Sequence, residues 1–161
     1  TRLADVVTGA GDVNTFNSEE GVLFVETAAL ESLYYFFRII SISDGTVSNR
    51  VYIGNSTSNN NISVVVTSGG VLQATLSVSS FDITINNKIA LRYKLNEVSL
   101  FINGVEQLPR DTAATMPIGL NTIDFSSGAG ASTARYYGKV KNLKVFKRAL
   151  SDAELIALTK Q

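Results

Sequence analysis

Arg50, Tyr52, Arg135, Tyr136 and Tyr137 are the residues of this sequence best suited to hold a ligand. A sugar is gripped by an aromatic ring under its C–H face and by planar polar groups that bond its hydroxyls. Arg50 and Tyr52 stand two positions apart in Arg50-Val51-Tyr52-Ile53. Successive side chains of a strand point to opposite faces, so this spacing puts both on one face, against core-like Val51 and Ile53 on the other. Arg135, Tyr136 and Tyr137 follow a loop of small residues, Ser126–Thr133, and can reach a neighbouring edge. The same residues also have plainer uses, with Tyr52 packing on an adjacent strand and Tyr136 or Tyr137 capping a core. Tryptophan, the commonest sugar platform, is absent.

What is missing narrows the chemistry further. The chain has no histidine and no cysteine. A Ser-His-Asp mechanism, zinc hydrolysis on histidine or thiolate ligands, and disulfide scaffolding all fall away with them. Cleavage of a glycosidic bond needs two carboxylates flanking it. Glu19 and Glu20 are adjacent and would point to opposite faces, and Glu26 and Glu31 do not complete a pair along one face. The chain therefore reads as a binder, not an enzyme. Lys139, Lys141, Lys144, Lys147 and Arg148 form a basic stretch, but lysine plus arginine equals aspartate plus glutamate, 14 against 14. Without net positive charge or an interleaved aromatic row, nucleic acid is not an expected partner. No apolar run reaches the ~20 residues of a membrane-spanning helix, so no membrane insertion is expected.

The elements that must position these residues are strands. Ile62, Val64 and Val66 alternate with polar neighbours, as do Leu72, Ala74, Leu76 and Val78, then Ile89, Leu91, Tyr93 and Leu95, then Val98, Leu100 and Ile102. Each run puts one apolar row on a core. Asp44-Gly45, Gly69-Gly70 and Asn103-Gly104 are suited to two-residue hairpin turns, and Asn96-Glu97 marks another turn. Gly21–Glu26 and Tyr34–Ser43 are apolar on both faces, as in strands covered on both sides. Leu3–Val7 and Asn14–Phe16 are weaker strand candidates, and Leu120–Phe125 and Tyr136–Phe146 supply the last strands. In the final one the apolar phase slips between Val140 and Leu143, which predicts a bulge. Asn55–Asn61 and Ser126–Thr133 read as exposed loops. Ser151-Asp152-Ala153-Glu154 is a capping box, with Leu150 and Leu155 placed to staple the helix it starts. Leu155, Ile156 and Leu158 would dock that helix on the edge of the sandwich. Regular short strands separated by turns give an all-β sandwich or barrel with one short C-terminal helix. Its 161 residues suit a single domain, 1–161, and the Thr1 start reads as a piece of a longer protein.

The run Tyr137-Gly138-Lys139-Val140 through Phe146-Lys147-Arg148-Ala149-Leu150-Ser151-Asp152-Ala153-Glu154 resembles the closing strand and helix of concanavalin A-like, laminin G-like jelly-roll domains, which implies an all-β, two-sheet antiparallel jelly-roll sandwich with one short C-terminal helix. Leu100-Phe101-Ile102-Asn103-Gly104 resembles a hairpin of that superfamily, and Glu20-Gly21-Val22-Leu23 its early strand. Ala4–Gly11, Ser43-Asp44-Gly45-Thr46 with Asn49-Arg50-Val51, and Ala157-Leu158-Thr159 resemble domains appended to bacteriophage tail and fibre proteins. Glucanases of the family carry E-x-D-x-x-E, which this sequence lacks. Laminin G-like relatives often hold calcium, an ion that takes six to eight oxygens. Asp44, Asn49, Asn55 and Asp124 are the donors that this resemblance nominates, with Asp44 otherwise serving its turn.

Taken together, the residues and the resemblance lead to the expectation of a non-catalytic carbohydrate- or receptor-binding module of a phage tail fibre or virion appendage. Its partner would be a host cell-surface glycan or receptor, met through Arg50 and Tyr52. The alternative is a structural decoration module that packs against sister chains or other virion proteins, with a homo-oligomer formed through the parent protein. Either way the expected location is the virion, as a tail fibre or appendage, or otherwise extracellular.

Overall fold

A computed structural model describes residues 10–30, 38–55, 60–128 and 134–161. Ten strands and one helix follow in chain order: β1 Glu20–Ala29, β2 Arg38–Ser43, β3 Arg50–Asn55, β4 Ile62–Ser68, β5 Val71–Val78, β6 Asn87–Lys94, β7 Glu97–Ile102, β8 Val105–Asp111, β9 Thr122–Asp124, β10 Gly138–Phe146 and α1 Asp152–Thr159. They form two five-stranded sheets, β5-β4-β3-β2-β9 in front and β10-β1-β6-β7-β8 behind. All pairings between strands are antiparallel. This is the two-sheet sandwich that the resemblance implies, with the alternating segments as strands and the helix at the capping box.

The inner rows make the core. Leu23 and Val25 of β1, Ile89, Leu91 and Tyr93 of β6 and Leu100 and Ile102 of β7 belong to one cluster with Ile40 and Ile42 of β2, Val51 and Ile53 of β3, and Val64 and Val66 of β4. Tyr93 lies fully inside, and its hydroxyl is satisfied by donating to the Asn17 carbonyl at 2.8 Å. A buried phenol with a partner keeps its packing without an unsatisfied polar group.

β1 is apolar on both faces because both are covered. Its outer residues Val22 and Phe24 join Ala90, Phe101, Leu150 and Leu155 in a second cluster beneath α1. The capping box is formed: Ser151 Oγ accepts from the Glu154 N–H, and the Glu154 carboxylate accepts from the Ser151 N–H at 2.8 Å. Both Leu150 and Leu155 are buried, but the helix lies on the outer face of the back sheet, not on an edge. Ile156 points to solvent and the buried Thr159 completes the docked side. Arg92 of β6 bolts the helix down. Its Nη1 donates to the Leu150 carbonyl at 2.9 Å and to Asp152 Oδ1 at 2.7 Å, and its Nε to Ser99 Oγ at 3.0 Å. Its Nη2 lies 2.6 Å from Glu97 Oε1, an ion pair outside hydrogen-bonding angles.

Several expectations need correction. Asn14–Phe16 is not a strand: Val13–Thr15 form a turn, because the Asp12 carboxylate captures the Asn14 and Thr15 N–H groups. Asp44-Gly45 belongs to a longer loop, since Ser43 pairs with Arg50 across it. The turn after β6 is Leu95-Asn96, with Glu97 already paired to Lys94, so Leu95 is exposed and not in the core row. Leu72 is also exposed: a register shift after Val66 pairs it with Thr67 and turns it to the outer face. Gly69-Gly70 and Asn103-Gly104 do close two-residue hairpins. Asn103 and Gly104 both adopt positive φ, 51° and 84°, the conformation of a primed turn. The bulge in β10 falls at Lys141, skipped between the pairs Glu26 with Asn142 and Thr27 with Val140. Leu3–Val7, Tyr34–Phe37 and parts of both small-residue loops lie outside the described residues.

Candidate functional site

With α1 over the back sheet, the outer face of the front sheet is the broad strand surface left without a helix. The pairing registers define its rows. Asp124, Ser41, Tyr52, Val65 and Thr75 run across one row, and Thr122, Ser43, Arg50, Thr67 and Leu72 across the next. Arg50 and Tyr52 therefore meet where their spacing predicts, mid-sheet on β3. The Arg50 guanidinium carbon lies 5.1 Å from the centre of the Tyr52 ring, a cation–π contact.

Arg50 is half-buried, and among the described residues no carboxylate pairs with it. Its Nη1 donates to the Ser127 carbonyl at 2.5 Å. Among the described residues its Nε is buried without a partner, and so is Thr122 Oγ1 in the same row. Burial pulls the guanidinium below its ordinary range, with the Tyr52 phenol opposing. It remains a cation at neutral pH, since arginine titrates far above it. Burial likewise pushes the Tyr52 phenol up, with Arg50 opposing. The pair is thus a desolvated positive charge on an aromatic platform, set among serine and threonine hydroxyls.

A strap from the β9–β10 connection, Ser126–Gly128, lies over one side of this face. Ser41 Oγ donates to the Ser126 carbonyl at 2.8 Å, beside the Arg50–Ser127 bond. Gly128 sits at φ +94°, where an added Cβ would come within 2.9 Å of the Thr46 carbonyl and 3.2 Å of Ser43 Oγ. Ser41, Ser43 and Asp124 are consequently buried. The open part of the face is Arg50, Tyr52, Leu72 and Thr75. The strap and the serines are the residues that sequence reasoning missed. The serines had a signal, since in Ile39-Ile40-Ser41-Ile42-Ser43 they fall on alternate positions.

The other nominated residues do not join Arg50 and Tyr52. Tyr136 packs on the core, its ring 6.5 Å from that of Phe125, and burial raises its phenol while a hydrogen bond to Thr27 opposes. Tyr136 therefore serves as the core cap. Arg135 makes an isolated bridge with Ile39, and Tyr137 is exposed while its carbonyl accepts from Arg38 Nη1 at 3.3 Å. Nor do the calcium donors converge. Asp44 and Asn49 meet, Asn49 Nδ2 donating to Asp44 Oδ2 at 2.9 Å. Asp44 Oδ1 is taken by the Thr46 N–H and hydroxyl, and Asn49 Oδ1 by the Gly69 N–H at 2.9 Å. Asn55 stands at the far end of β3, about 16 Å along the strand, and Asp124 sits across β2 beside Ser41. Asp44 and Asn49 tie loops together with the oxygens a metal would need. Among the described residues, Asp124 is the one carboxylate in the strand rows of the front face, whereas a glycosidase pair needs two.

Comparison with known proteins matches residues 28–156 to a laminin G family described as the Concanavalin A-like lectin/glucanases superfamily. No curated protein matches the chain. Among solved structures, the CBM40 of a Ruminococcus gnavus IT-sialidase bound to alpha2,3 sialyllactose has a TM-score of 0.74 and 18% identity, covering 97% of each chain. A leech intramolecular trans-sialidase has a TM-score of 0.69 and 19% identity, over 97% of this chain and 26% of its own. The binding domain of botulinum neurotoxin DC, in complex with rat synaptotagmin II, has a TM-score of 0.63 and 13% identity, over 88% of this chain and 35% of its own. At these identities the structural likeness speaks to the fold, while the family match covers most of the sequence. This chain belongs to the concanavalin A-like lectin/glucanases superfamily.

Proposed function

We propose that the chain is a non-catalytic carbohydrate-binding module that takes a glycan on the open part of the front sheet, around Arg50 and Tyr52. One observation carries this reading: Arg50 is half-buried on an aromatic ring, has no carboxylate partner among the described residues and keeps an unbonded Nε. Holding an unpaired charge out of water costs free energy unless a ligand supplies the missing bonds. Tyr52 and Leu72 offer apolar area beside it, and Thr75 offers a hydroxyl, the mixture that a sugar edge requires. The structural likeness to a sialidase CBM40 seen with sialyllactose supports a glycan over other ligands. The setting is proposed to be a virion appendage such as a bacteriophage tail fibre, on the support of the sequence motifs around Ala4–Gly11 and Ser43–Val51. There the partner would be a host-surface glycan, met by many copies at high effective concentration.

The test is a glycan array probed with the chain alone and displayed on a tetrameric carrier. The tetramer is expected to retain a restricted set of glycans that the single chain holds weakly. Silence from both forms across neutral and acidic glycans would overturn the proposal.

A further inference from the structure

β3, β4 and β5 lie side by side in the front sheet, and together they contain a single charged residue, Arg50. Asp124, the carboxylate in the front-face rows, is buried two strands away on β9. Asp44, in the loop before Arg50, has both carboxylate oxygens engaged by Thr46 and Asn49. The open part of the face therefore carries one positive charge with no negative one beside it among the described residues. A neutral sugar can answer that charge only with hydroxyl oxygens, whereas an anion also offsets it.

The bonds already made leave the guanidinium a definite shape. Nη1 is taken by the Ser127 carbonyl, while Nε and Nη2 bond to no described residue. Nε–H and one N–H of Nη2 lie along the same edge of the planar group and point in parallel. Two parallel N–H donors on a cation match the two oxygens of an anionic group, and such bonds are about twice as strong as neutral ones. A single hydroxyl meets only one of the two donors. The Tyr52 ring, 5.1 Å from the guanidinium carbon, holds the group over the sheet.

Given the carbohydrate-binding role proposed above, on which this rests, we infer that the ligand is an acidic glycan whose anionic group docks on the Nε–Nη2 edge of Arg50. The rest of the sugar lies over Tyr52 toward Leu72, about 10 Å away across two strand spacings. The anionic group can come from a carboxylate, in a hexuronic or nonulosonic acid, or from a sulfate ester. Each presents paired oxygens to the same fork.

Matched pairs of glycans, probed with the chain on its tetrameric carrier, test this and separate the sources. Hexuronate and nonulosonate oligosaccharides are set beside their methyl esters, and sulfated oligosaccharides beside the unsulfated ones. At least one acidic member is expected to be held about tenfold more tightly than its neutral partner, and less tightly as salt rises. Arg50→Lys keeps the charge and removes the fork, so the preference is expected to fall several-fold. A thermal melt shows whether that variant is folded, and the wild-type pairs decide alone if it is not. Equal retention within every pair, or retention of neutral glycans only, overturns the inference and leaves the carbohydrate-binding role standing. A preference undiminished in Arg50→Lys overturns it too. Silence on every glycan overturns both.

Discussion

Replacing Arg50 by methionine separates a ligand-binding arginine from a structural one. Methionine keeps much of the aliphatic stem that covers the sheet, so packing loss is small. The folded chain loses the bond to the Ser127 carbonyl, worth about 1.5–3 kcal/mol for a charged donor. It also loses the contact with Tyr52, worth about 0.5–1 kcal/mol. Against these stands the removal of a buried Nε that has no partner, a penalty of about 1–3 kcal/mol. The extremes run from about 1 kcal/mol of gain to about 3 kcal/mol of loss, with a net cost of about 1 kcal/mol at mid-range. For a domain of this size that moves Tm by about 2–4 °C. Thermal unfolding followed by differential scanning fluorimetry, run beside the glycan array, reads both quantities. The expected result is a nearly unchanged melt with loss of glycan retention. A fall in Tm beyond about 12 °C would show that Arg50 holds the fold together, and unchanged retention would remove it from the site.

Three further outcomes are expected. Leu155→Ala, at a fully buried position between α1 and the back sheet, should cost about 2–5 kcal/mol in urea denaturation, and a cost below that range would mean the helix is not firmly docked. Tyr93→Phe should cost about 0.5–1.5 kcal/mol by the same measurement, the worth of the bond to the Asn17 carbonyl. The Glu154 carboxyl is held down to about 2, from an ordinary 4.5, by the Arg148 guanidinium and then by the Ser151 N–H and hydroxyl. Its folded value is depressed, so the stability it contributes is complete above the ordinary value and is lost as pH falls from 4.5 toward 2. Glu154→Gln should therefore flatten the acid limb of a Tm-against-pH curve in that window, and an unaltered limb would show that the capping carboxylate is not responsible.

Much of this architecture was legible because strand chemistry is local. The primed turn at Asn103-Gly104, the bulge signalled by the phase slip after Val140, and the capping box at Ser151 are each set by a few neighbouring residues. Arg50 and Tyr52 were legible for the same reason, since a spacing of two fixes a shared face. The failures have a common cause in contacts that a short window does not contain. Leu72 continues a perfect alternation, yet a bulge at the neighbouring Gln73, skipped between the pairs Val66 with Ala74 and Thr67 with Leu72, turns it outward. Asp44-Gly45 has hairpin composition, but Asp44 is held by Asn49 across the wider loop. The strap over Ser41 and Ser43 is built from main-chain carbonyls of Ser126 and Ser127, groups that every residue possesses. No side-chain pattern announces them.

The place of β1 has a consequence for how the chain is made. It lies between β6 and β10, so Val22 finds Arg92 on one side and Phe146 on the other. The meander from β6 to β8, closed by two-residue turns, brings partners together with little loop entropy and can assemble early. β1 is synthesised before any of its neighbours and is apolar on both faces, so it must wait longest for cover. A nascent or truncated chain that stops short of Phe146 leaves this strand with one flank bare, and aggregation there is the expected failure of incomplete synthesis.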